Sequence, residues 1–512
     1  MALNDYIWKL YLDAGGREVA TFFEDNFYNA ITTETADIIS NMQAQYCASK
    51  EIVNATYEQL EYVLKWYNDP DEEYDPEIMS LYRNKKRSVK DNPEKVIEKR
   101  LANLWDKYYG KCFGSDQEGF EYFSSVIALE TSLIAINNPE FFVPYFFKCN
   151  FNVLENIASV FGITIPQVPL KKNYRERYMY YGELCKSWYE FRQSNGWTVY
   201  ELCAFLYDFA PKYIGGIDSY IVKDLPAPRS AYFIGGHGTG GDASAEDDPH
   251  TVTHWQCNTS TRAGDMIVMY LRTPVSAISS VWRSCSVGFI DPFFFFYYCT
   301  YIGSPVKVKR VGLDKIKKDS LLKEMPIVRK NMQGINGVEL KPSEYNRILN
   351  ITSCKAQKLA YEEIVGSRCV NEKDVEETII KPFLKKIGYS TEDYIQQLYV
   401  AIGNHNNTLI PDFVLLPKRE RGNWFGYTIV EAKRSITKKK ELQDALVQVR
   451  SYALLLRAKY AAVASEEGIW ITSNEDGYEE IIVEQTWAEM DNDKMHEIHK
   501  MLGKENGIKS IR

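Results

Sequence analysis

The sequence predicts a multidomain protein with three parts: a helical N-terminal domain over residues 1–215, a β-rich domain over residues 228–350, and a C-terminal α/β domain over residues 355–512. The first part contains long stretches without Gly or Pro in which apolar residues recur at helical spacing. Near Tyr213 the pattern changes to short apolar runs of strand length between turn signals. Beyond residue 355, helical and strand patterns alternate, which is typical of an α/β domain.

The overall composition is that of a globular protein. Of the 512 residues, 45% are hydrophobic and 25% are charged, which excludes a disordered, collagen-like or disulfide-scaffold chain. The net charge of -8 argues against a generally basic nucleic-acid coat but permits a local basic cleft.

The sequence contains no signal for secretion or membrane insertion. The N-terminal segment lacks the apolar stretch and cleavage site of a signal peptide. The longest strongly apolar run, Phe289 to Tyr298, is far shorter than the roughly 20 residues that span a bilayer. The ten cysteines include no CxxC pair, and we expect reduced, mostly buried thiols. These features predict a cytoplasmic protein without a membrane partner.

The helical domain has no assigned role. Helical spacing is clear over Ile52 to Asn68 and Glu94 to Tyr109. Aromatic residues are dense around Pro144, and we interpret them as core in preference to a contact surface. The basic run at residues 83–87 is either a solvated patch or a phosphate contact.

The β-rich domain contains recognisable short motifs. These are Trp255, the turn Gly264-Asp265 before an apolar strand, Trp282-Arg283, and Asp291-Pro292-Phe293. The motifs resemble the small β-barrels of the PUA-like group, especially the EVE and YTH domains. The resemblance implies a barrel that binds RNA or modified bases in DNA, often with the base in an aromatic pocket. Trp255 and Trp282 are then the pocket candidates, with Asn258 and Asp291 as hydrogen-bonding candidates. The alternative is that both tryptophans belong to the core.

The C-terminal domain carries a PD-x18-ExK pattern. Asp412 follows Pro411, and after 18 intervening residues a strand runs directly into Glu431 and Lys433. Because side chains alternate across a strand, Glu431 and Lys433 point to the same face, and a paired strand can place Asp412 beside them. Two carboxylates bind Mg²⁺, which activates water for attack on a phosphate. Lys433 would orient or deprotonate that water and balance the developing charge.

Two helical patterns flank this motif. The upstream pattern runs from Val375 to Ile387, and Pro382 is expected to bend it. The downstream pattern places Gln448 and Tyr452 at i, i+4 spacing beside a core stripe. That stripe comprises Leu442, Leu446, Val449, Ala453 and Leu456.

The order and spacing of these motifs resemble the PD-(D/E)xK nuclease superfamily, and are most similar to the nuclease domain at the N-terminus of type I restriction enzyme R subunits. The motifs are Asn371-Glu372, Pro382-Phe383-Leu384, Ile387-Gly388-Tyr389, Pro411-Asp412, Glu431-Ala432-Lys433 and Gln448-x3-Tyr452. The resemblance implies that Asp412, Glu431 and Lys433 are catalytic. It also implies that Gln448 and Tyr452 contact DNA or support the site.

The metal and DNA contacts are assigned on the same basis. We expect Asp412, Glu431 and Glu377 to bind Mg²⁺, or Mn²⁺ in its place. Glu372 and Glu376 are open alternatives to Glu377. The basic residues that follow the motif make Arg434 and Lys438 DNA-contact candidates. ATP is not expected, because the chain has no Walker A sequence.

The sequence as a whole therefore predicts a magnesium-dependent endonuclease, specifically a restriction or anti-phage defence enzyme whose PUA-like domain reads a modified base. One alternative is a partner-activated effector that degrades DNA or RNA without specificity. Another is a non-catalytic reader or assembly protein. Since one nuclease site cuts one strand, cleavage of a duplex would favour a homo-oligomer.

Overall fold

In a computed structural model, the protein is described over residues 3–24, 93–110, 113–137, 141–215, 220–360, 369–401 and 408–511. The chain divides into two compact units, Met1–Lys318 with Lys323–Glu339 and Asp319–Leu322 with Leu340–Arg512. The first unit contains a helical region and a curled half-barrel sheet, and the second contains a mixed sheet. The predicted helix from Ile52 to Asn68 and the basic run at residues 83–87 lie outside the described residues.

Within the described residues, the helical region begins at α1. Its helices are α1 (Asp5–Tyr11), α2 (Arg17–Phe22), α3 (Pro93–Leu104), α4 (Asp116–Asn137), α5 (Phe151–Phe161), α6 (Tyr174–Asn195), α7 (Val199–Ala204) and α8 (Ala210–Tyr213). Turns of π-helix follow α1, α3 and α7. The aromatic residues around Pro144 are buried in the core of this region, so the core interpretation is confirmed.

The half-barrel is a seven-stranded sheet in which the strand order is β2-β6-β4-β3-β1-β7, and β5 pairs with β6. Its strands are β1 (Ala231–Gly236), β2 (Val252–Gln256), β3 (Met266–Leu271), β4 (Ala277–Ser284), β5 (Phe289–Ile290), β6 (Tyr298–Gly312) and β7 (Asn336–Leu340). Its short helices are α9 (Gly241–Ser244), α10 (Leu313–Lys318) and α11 (Pro326–Arg329). Register shifts interrupt β3–β4 and β4–β6 pairing, and such irregularities increase strand twist and bending.

A loop between β5 and β6 joins the half-barrel to the helical region. Phe293 is fully buried in the helical core. The buried Arg177 guanidinium donates hydrogen bonds to the carbonyl oxygens of Pro292 (2.8 Å) and Phe294 (2.6 Å). Asp291 is also fully buried. Its carboxylate accepts hydrogen bonds from the backbone N–H groups of Cys149, Phe293 and Phe294. Asp291 therefore holds the loop and presents no open edge to a base, which corrects its assignment as a base partner.

The second unit is built on a six-stranded sheet in which the strand order is β17-β16-β15-β14-β11-β8. Its strands and small hairpins are β8 (Tyr394–Gln396), β9 (Val400–Ala401), β10 (Thr408–Leu409), β11 (Phe413–Leu415), β12 (Lys418–Glu420), β13 (Asn423–Phe425), β14 (Thr428–Ala432), β15 (Tyr460–Ala464), β16 (Gly468–Ser473) and β17 (Ile481–Thr486). The helices are α12 (Pro342–Thr352), α13 (Glu372–Val375), α14 (Lys381–Lys386), α15 (Lys439–Leu455), α16 (Asn492–Leu502) and α17 (Lys504–Ile511).

Strand pairing in this sheet is mostly antiparallel. The exception is β14, which runs parallel to β15 and is connected to it through α15, as a parallel pair requires. Alternate residues of the central strands enter two core clusters: Phe413 and Val430 join one, whereas Val414 and Ile429 join the other with Val449 of α15. The sheet is therefore covered on both faces.

Among the described residues, no helix has the length and apolar character needed to cross a membrane. The eight cysteines in this part of the chain are all free thiols, and seven of them are buried.

Candidate active site

Strand register places Asp412 beside Glu431. Phe413 pairs with Val430 and Val414 with Ile429 in the antiparallel β11–β14 ladder. Asp412 immediately precedes β11, and its Oδ2 accepts a hydrogen bond of 2.8 Å from the backbone N–H of Ala432. The two carboxylates of the PD-x18-ExK pattern therefore lie at the same end of two adjacent interior strands.

Lys433 completes this cluster. Its Nζ donates a 2.8 Å hydrogen bond to Oε1 of Glu431 and lies 3.6 Å from Oε1 of Glu372. The Glu431 side chain is only 3% exposed, whereas that of Lys433 is 23% exposed. The lysine therefore connects a buried carboxylate to the accessible side of the site.

The carboxylates of this cluster are held at unusual pKa values. Burial raises the pKa of Glu431 to about 7, and the charge of Asp412 adds to this effect while Lys433 opposes it. Burial also raises the pKa of Asp412. For Lys433, burial alone would lower the pKa, but the hydrogen bond and charge of Glu431 raise it, so the ammonium is retained. Burial and mutual repulsion therefore favour the protonated forms of these two carboxyl groups, and the Lys433 ammonium opposes that effect.

One oxygen of this cluster has no partner. The buried Oε2 of Glu431 receives no hydrogen bond. Most buried polar atoms are hydrogen-bonded, so an exception needs a physical explanation such as an absent ion or water.

The positions of Glu372, Glu376 and Glu377 differ from those that the sequence predicts. Glu376 is buried, and its carboxylate accepts a hydrogen bond from the side-chain amide of Gln396. Burial and then the charge of Asp412 raise the pKa of Glu376. Glu377 instead forms a 2.5 Å ion pair with Lys381 and is 49% exposed. The structure therefore brings Glu372 and Glu376 to the cluster and turns Glu377 away, which corrects the assignment of Glu377 as a metal ligand.

A π-helical turn explains this correction. It covers Glu376–Ile380, between α13 and α14. Pro382 has no backbone N–H and cannot bond to the carbonyl four residues earlier, as an α-helix requires. The predicted bend at Pro382 thus takes the form of a wider turn, which changes the direction of the side chains that a regular helix would present.

Gln448 and Tyr452 lie together on α15. The Gln448 amide donates a 3.0 Å hydrogen bond to the Tyr452 hydroxyl. Tyr452 is 8% exposed and belongs to the core cluster that contains Ile429 and Val449. The pair therefore lies on the helix that packs against the Glu431 side of the sheet, and Tyr452 contributes to the core as well.

The two basic candidates beside the site are accessible. Arg434 is exposed and directly follows Lys433. Lys438 is 77% exposed and forms a 3.3 Å ion pair with Glu441. Lys438 is thus partly neutralised, and Arg434 is the better placed of the two for an anionic ligand.

The tryptophans of the half-barrel occupy different environments. Trp282 is 1% exposed and its indole N–H donates a 2.8 Å hydrogen bond to Ser280. Trp255 is half-buried and donates a 3.1 Å hydrogen bond to the carbonyl of Gly235. Asn258 is committed to its own loop through a 2.9 Å hydrogen bond from the backbone of Ser260. Trp282 is therefore a core residue, which corrects its assignment to a pocket, whereas Trp255 is partly exposed.

A cavity that the sequence did not predict opens in the half-barrel. Its volume is about 500 Å³, within the range of roughly 300–1,000 Å³ for small-molecule sites. Its walls are Tyr270, Arg272, Thr273, Ser276, Phe296, Leu313, Asn331, Met332, Gln333, Gly334, Ile335 and Asn336. Neither Trp255 nor Trp282 lines it.

The donor set at Glu431 suits a divalent cation with few protein ligands. Within the described ranges, no group of three or more His, Cys, Asp and Glu side chains is arranged to hold a metal ion. Mg²⁺ usually keeps several waters and is bound through one or two carboxylates. Asp412 and Glu431 supply two such carboxylates, and the unpaired Oε2 of Glu431 is a free hard ligand. These residues therefore fit the ion.

Comparisons with known proteins assign no family. No family model and no curated protein matches the chain. Among solved structures, Rpa0253 from Rhodopseudomonas palustris is 12% identical, covers 25% of this chain and 96% of its own, and has a TM-score of 0.22. Atu2648 from Agrobacterium tumefaciens is 13% identical, covers 25% of this chain and 97% of its own, and has a TM-score of 0.22.

Proposed function

We propose that the protein is a metal-dependent nuclease that hydrolyses phosphodiester bonds in DNA at Asp412, Glu431 and Lys433. The observation that carries this proposal is the buried Glu431 carboxylate, which lies against Asp412 and Lys433 and leaves one oxygen unpaired. A cluster with raised carboxylate pKa values and a specific charge partner is a candidate functional site. The adjacent strands and the resemblance to the PD-(D/E)xK superfamily support the same assignment.

Asp412 and Glu431 would hold Mg²⁺, or Mn²⁺ in its place. When bound, the ion would supply Lewis-acid activation of water and of the phosphate. The remaining roles belong to the chain. Lys433 Nζ, retained as an ammonium, would position the attacking water and stabilise charge on the phosphate oxygens. Arg434 would hold the DNA backbone, and Gln448 with Tyr452 would support the helix beside the site.

We further propose that the half-barrel is a PUA-like domain that reads the nucleic acid, including a modified base. A reader coupled to a nuclease suits a restriction or anti-phage defence enzyme. Since each chain contributes one such site, duplex cleavage would require a homo-oligomer or two binding events.

A cleavage assay tests the proposed function. Full-length protein is incubated with supercoiled plasmid in Mg²⁺ or in EDTA, with unmodified and base-modified plasmids in parallel and single-stranded RNA as a further substrate. We expect metal-dependent nicked or linear DNA, which Asp412→Asn abolishes. Cleavage of RNA alone would replace DNA with RNA as the substrate. No cleavage of any substrate by folded wild-type protein in Mg²⁺ or Mn²⁺ would contradict the nuclease function.

A further inference from the structure

We propose that the β12–β13 hairpin and the loop after α15 bind the phosphate backbone of duplex DNA through the guanidinium groups of Arg419, Arg421 and Arg457. We call these three residues the arginine patch. The inference deepens the proposed function, because it assigns a second contact with the same partner outside the catalytic cluster. It rests on that function only in taking DNA as the ligand.

The hairpin lies at the opposite end of the sheet from the catalytic cluster. Asp412 precedes β11 and Glu431 lies near the end of β14, whereas β12 and β13 connect the end of β11 to the start of β14. β14 has five residues, so the two ends are about 15 Å apart at roughly 3.3 Å per residue. Each base pair rises about 3.4 Å, and a duplex is stiff over this distance. A duplex that runs along the strands from the catalytic cluster therefore reaches the hairpin within about five base pairs.

Two residues of the arginine patch are held over aromatic rings of the hairpin. The Arg419 guanidinium lies 5.4 Å from the ring centroid of Trp424, its cross-strand partner. The Arg457 guanidinium, on the loop after α15, lies 5.5 Å from the ring centroid of Phe425 in β13. Such contacts orient the planar group without neutralising its charge, and the N–H donors at its edge stay free to bind phosphate oxygens.

The charge of the arginine patch is not compensated in the described part of the chain. Arg419, Arg421 and Arg457 are exposed, and none of them forms an ion pair with a described carboxylate. Glu420, the carboxylate of the hairpin itself, is paired with Lys418 at 2.6 Å. The chain as a whole carries a net charge of -8, so three uncompensated cations at one end of the sheet favour an anionic ligand.

Two residues of the arginine patch occupy backbone positions that suit other residues better. Arg421 and Gly422 form the two-residue loop of the hairpin with φ angles of 48° and 88°, and such a loop favours Asn or Gly at its first position. Arg457 (φ 49°) ends α15 in a Schellman turn, in which the N–H of Ala458 donates a 2.9 Å hydrogen bond to the carbonyl of Ala453. Gly is the usual residue there. Backbone strain of this kind is concentrated at binding sites, so this observation supports the patch independently of its charge.

A binding experiment in EDTA tests this inference without cleavage. The probe is a fluorescein-labelled DNA duplex of mixed sequence, a few helical turns long. Its anisotropy is measured with full-length wild type, Arg419→Gln, Arg421→Asn and Arg457→Gly. Because Asn and Gly suit the local backbone at positions 421 and 457, we expect these two variants to keep the melting temperature of wild type.

Binding should weaken although the fold is retained. We expect each substitution to weaken binding about fivefold, the upper end for an exposed ion pair, and Arg421→Asn combined with Arg457→Gly to weaken it about 25-fold. The slope of log K against log salt concentration should fall by about 0.9 for each phosphate contact that is lost.

One variant and two competitors control for charge. Lys358 is exposed in the segment after α12 and forms no ion pair with the described residues, so Lys358→Gln should bind the duplex as wild type does. Unlabelled duplex should displace the probe more strongly than a single strand of the same length or a polyglutamate peptide.

Four results would overturn the inference. They are folded wild type that does not bind the duplex, arginine variants that bind as wild type does, an equal loss in Lys358→Gln, or a single strand or polyglutamate that competes as strongly as the duplex. Equal competition by polyglutamate would assign the patch to an acidic protein instead. Since Asp412 and Glu431 are untouched and no metal is present, each of these results leaves the nuclease assignment to its own assay.

Discussion

Asp291 in the first unit and Glu431 in the second are both buried carboxylates, and burial raises the pKa of each to about 7. Their partners differ. Asp291 accepts hydrogen bonds from three backbone N–H groups. Glu431 accepts one from Lys433, and its Oε2 receives none. The hydrogen bonds of Asp291 hold the loop between β5 and β6, whereas the unpaired Oε2 of Glu431 is still able to bind a ligand.

This difference shows that burial and a raised pKa do not by themselves identify a functional carboxylate. Glu431 is distinguished by three features: a second carboxylate at the same end of the adjacent strand, a neighbouring lysine and an unpaired oxygen. Substitution of Asp291 should therefore lower the stability of the first unit, whereas substitution of Glu431 should lower the rate of cleavage.

The largest expected effect is on cleavage. Asp412→Ala, Glu431→Ala and Lys433→Ala should each lower the cleavage rate about 100- to 10,000-fold, the range for groups that move or position protons in the transition state. Single-turnover rates with labelled DNA measure this effect, and circular dichroism checks the fold. Wild-type rates in all three variants would remove the active site from this cluster.

The next effect is on stability. Asp291→Ala leaves the buried N–H groups of Cys149 and Phe293 without their acceptor, whereas the N–H of Phe294 keeps the carbonyl of residue 291. We expect the free energy of unfolding of the first unit to fall by about 3 kcal/mol. Glu431→Gln should change stability by less than about 1 kcal/mol, because the neutral amide relieves repulsion from Asp412. Chemical denaturation of both variants measures these changes. Equal destabilisation would mean that the two carboxylates have the same structural role.

A smaller effect should separate the helical carboxylates. Glu376→Ala should lower the cleavage rate about 10-fold, an effect of about 1.4 kcal/mol on the barrier, because Glu376 interacts with Asp412. Glu377→Ala is the matched control and should stay within about twofold of wild type. The reverse order would restore Glu377 to the site.

The smallest effect should come from α15. Tyr452→Phe removes the hydroxyl that accepts from Gln448, and we expect a cleavage rate about threefold lower with about 1 kcal/mol of lost stability, typical of one hydrogen bond. Gln448→Ala should have a similar effect on the rate. If both variants lose stability but cleave normally per folded molecule, the pair is structural only.

The sequence predicted the Asp412–Glu431–Lys433 cluster because its geometry is local. Two adjacent strands and the alternation of side chains are enough to bring these residues together. It left open which helical glutamate joins the site and placed Glu377 first, because helical periodicity alone does not separate Glu372, Glu376 and Glu377. The direction of each tryptophan depends on how the sheet curls, which periodicity does not specify, so Trp282 was assigned to a pocket although it lies in the core.

The half-barrel cavity was beyond sequence reasoning for a different reason. Its walls come from separate segments around Tyr270, Phe296, Leu313 and Asn331. No linear motif joins them, and only the fold brings them together.

The most direct measurement of the role of Glu431 is a calorimetric titration of Mn²⁺ into the full-length chain, with cleavage measured on the same samples. Wild type and Glu377→Gln should bind Mn²⁺ and cleave DNA, whereas Glu431→Gln should lose both properties and keep its fold. Equal Mn²⁺ binding and equal cleavage by wild type and Glu431→Gln would contradict the assignment of this carboxylate to a metal-dependent nuclease site.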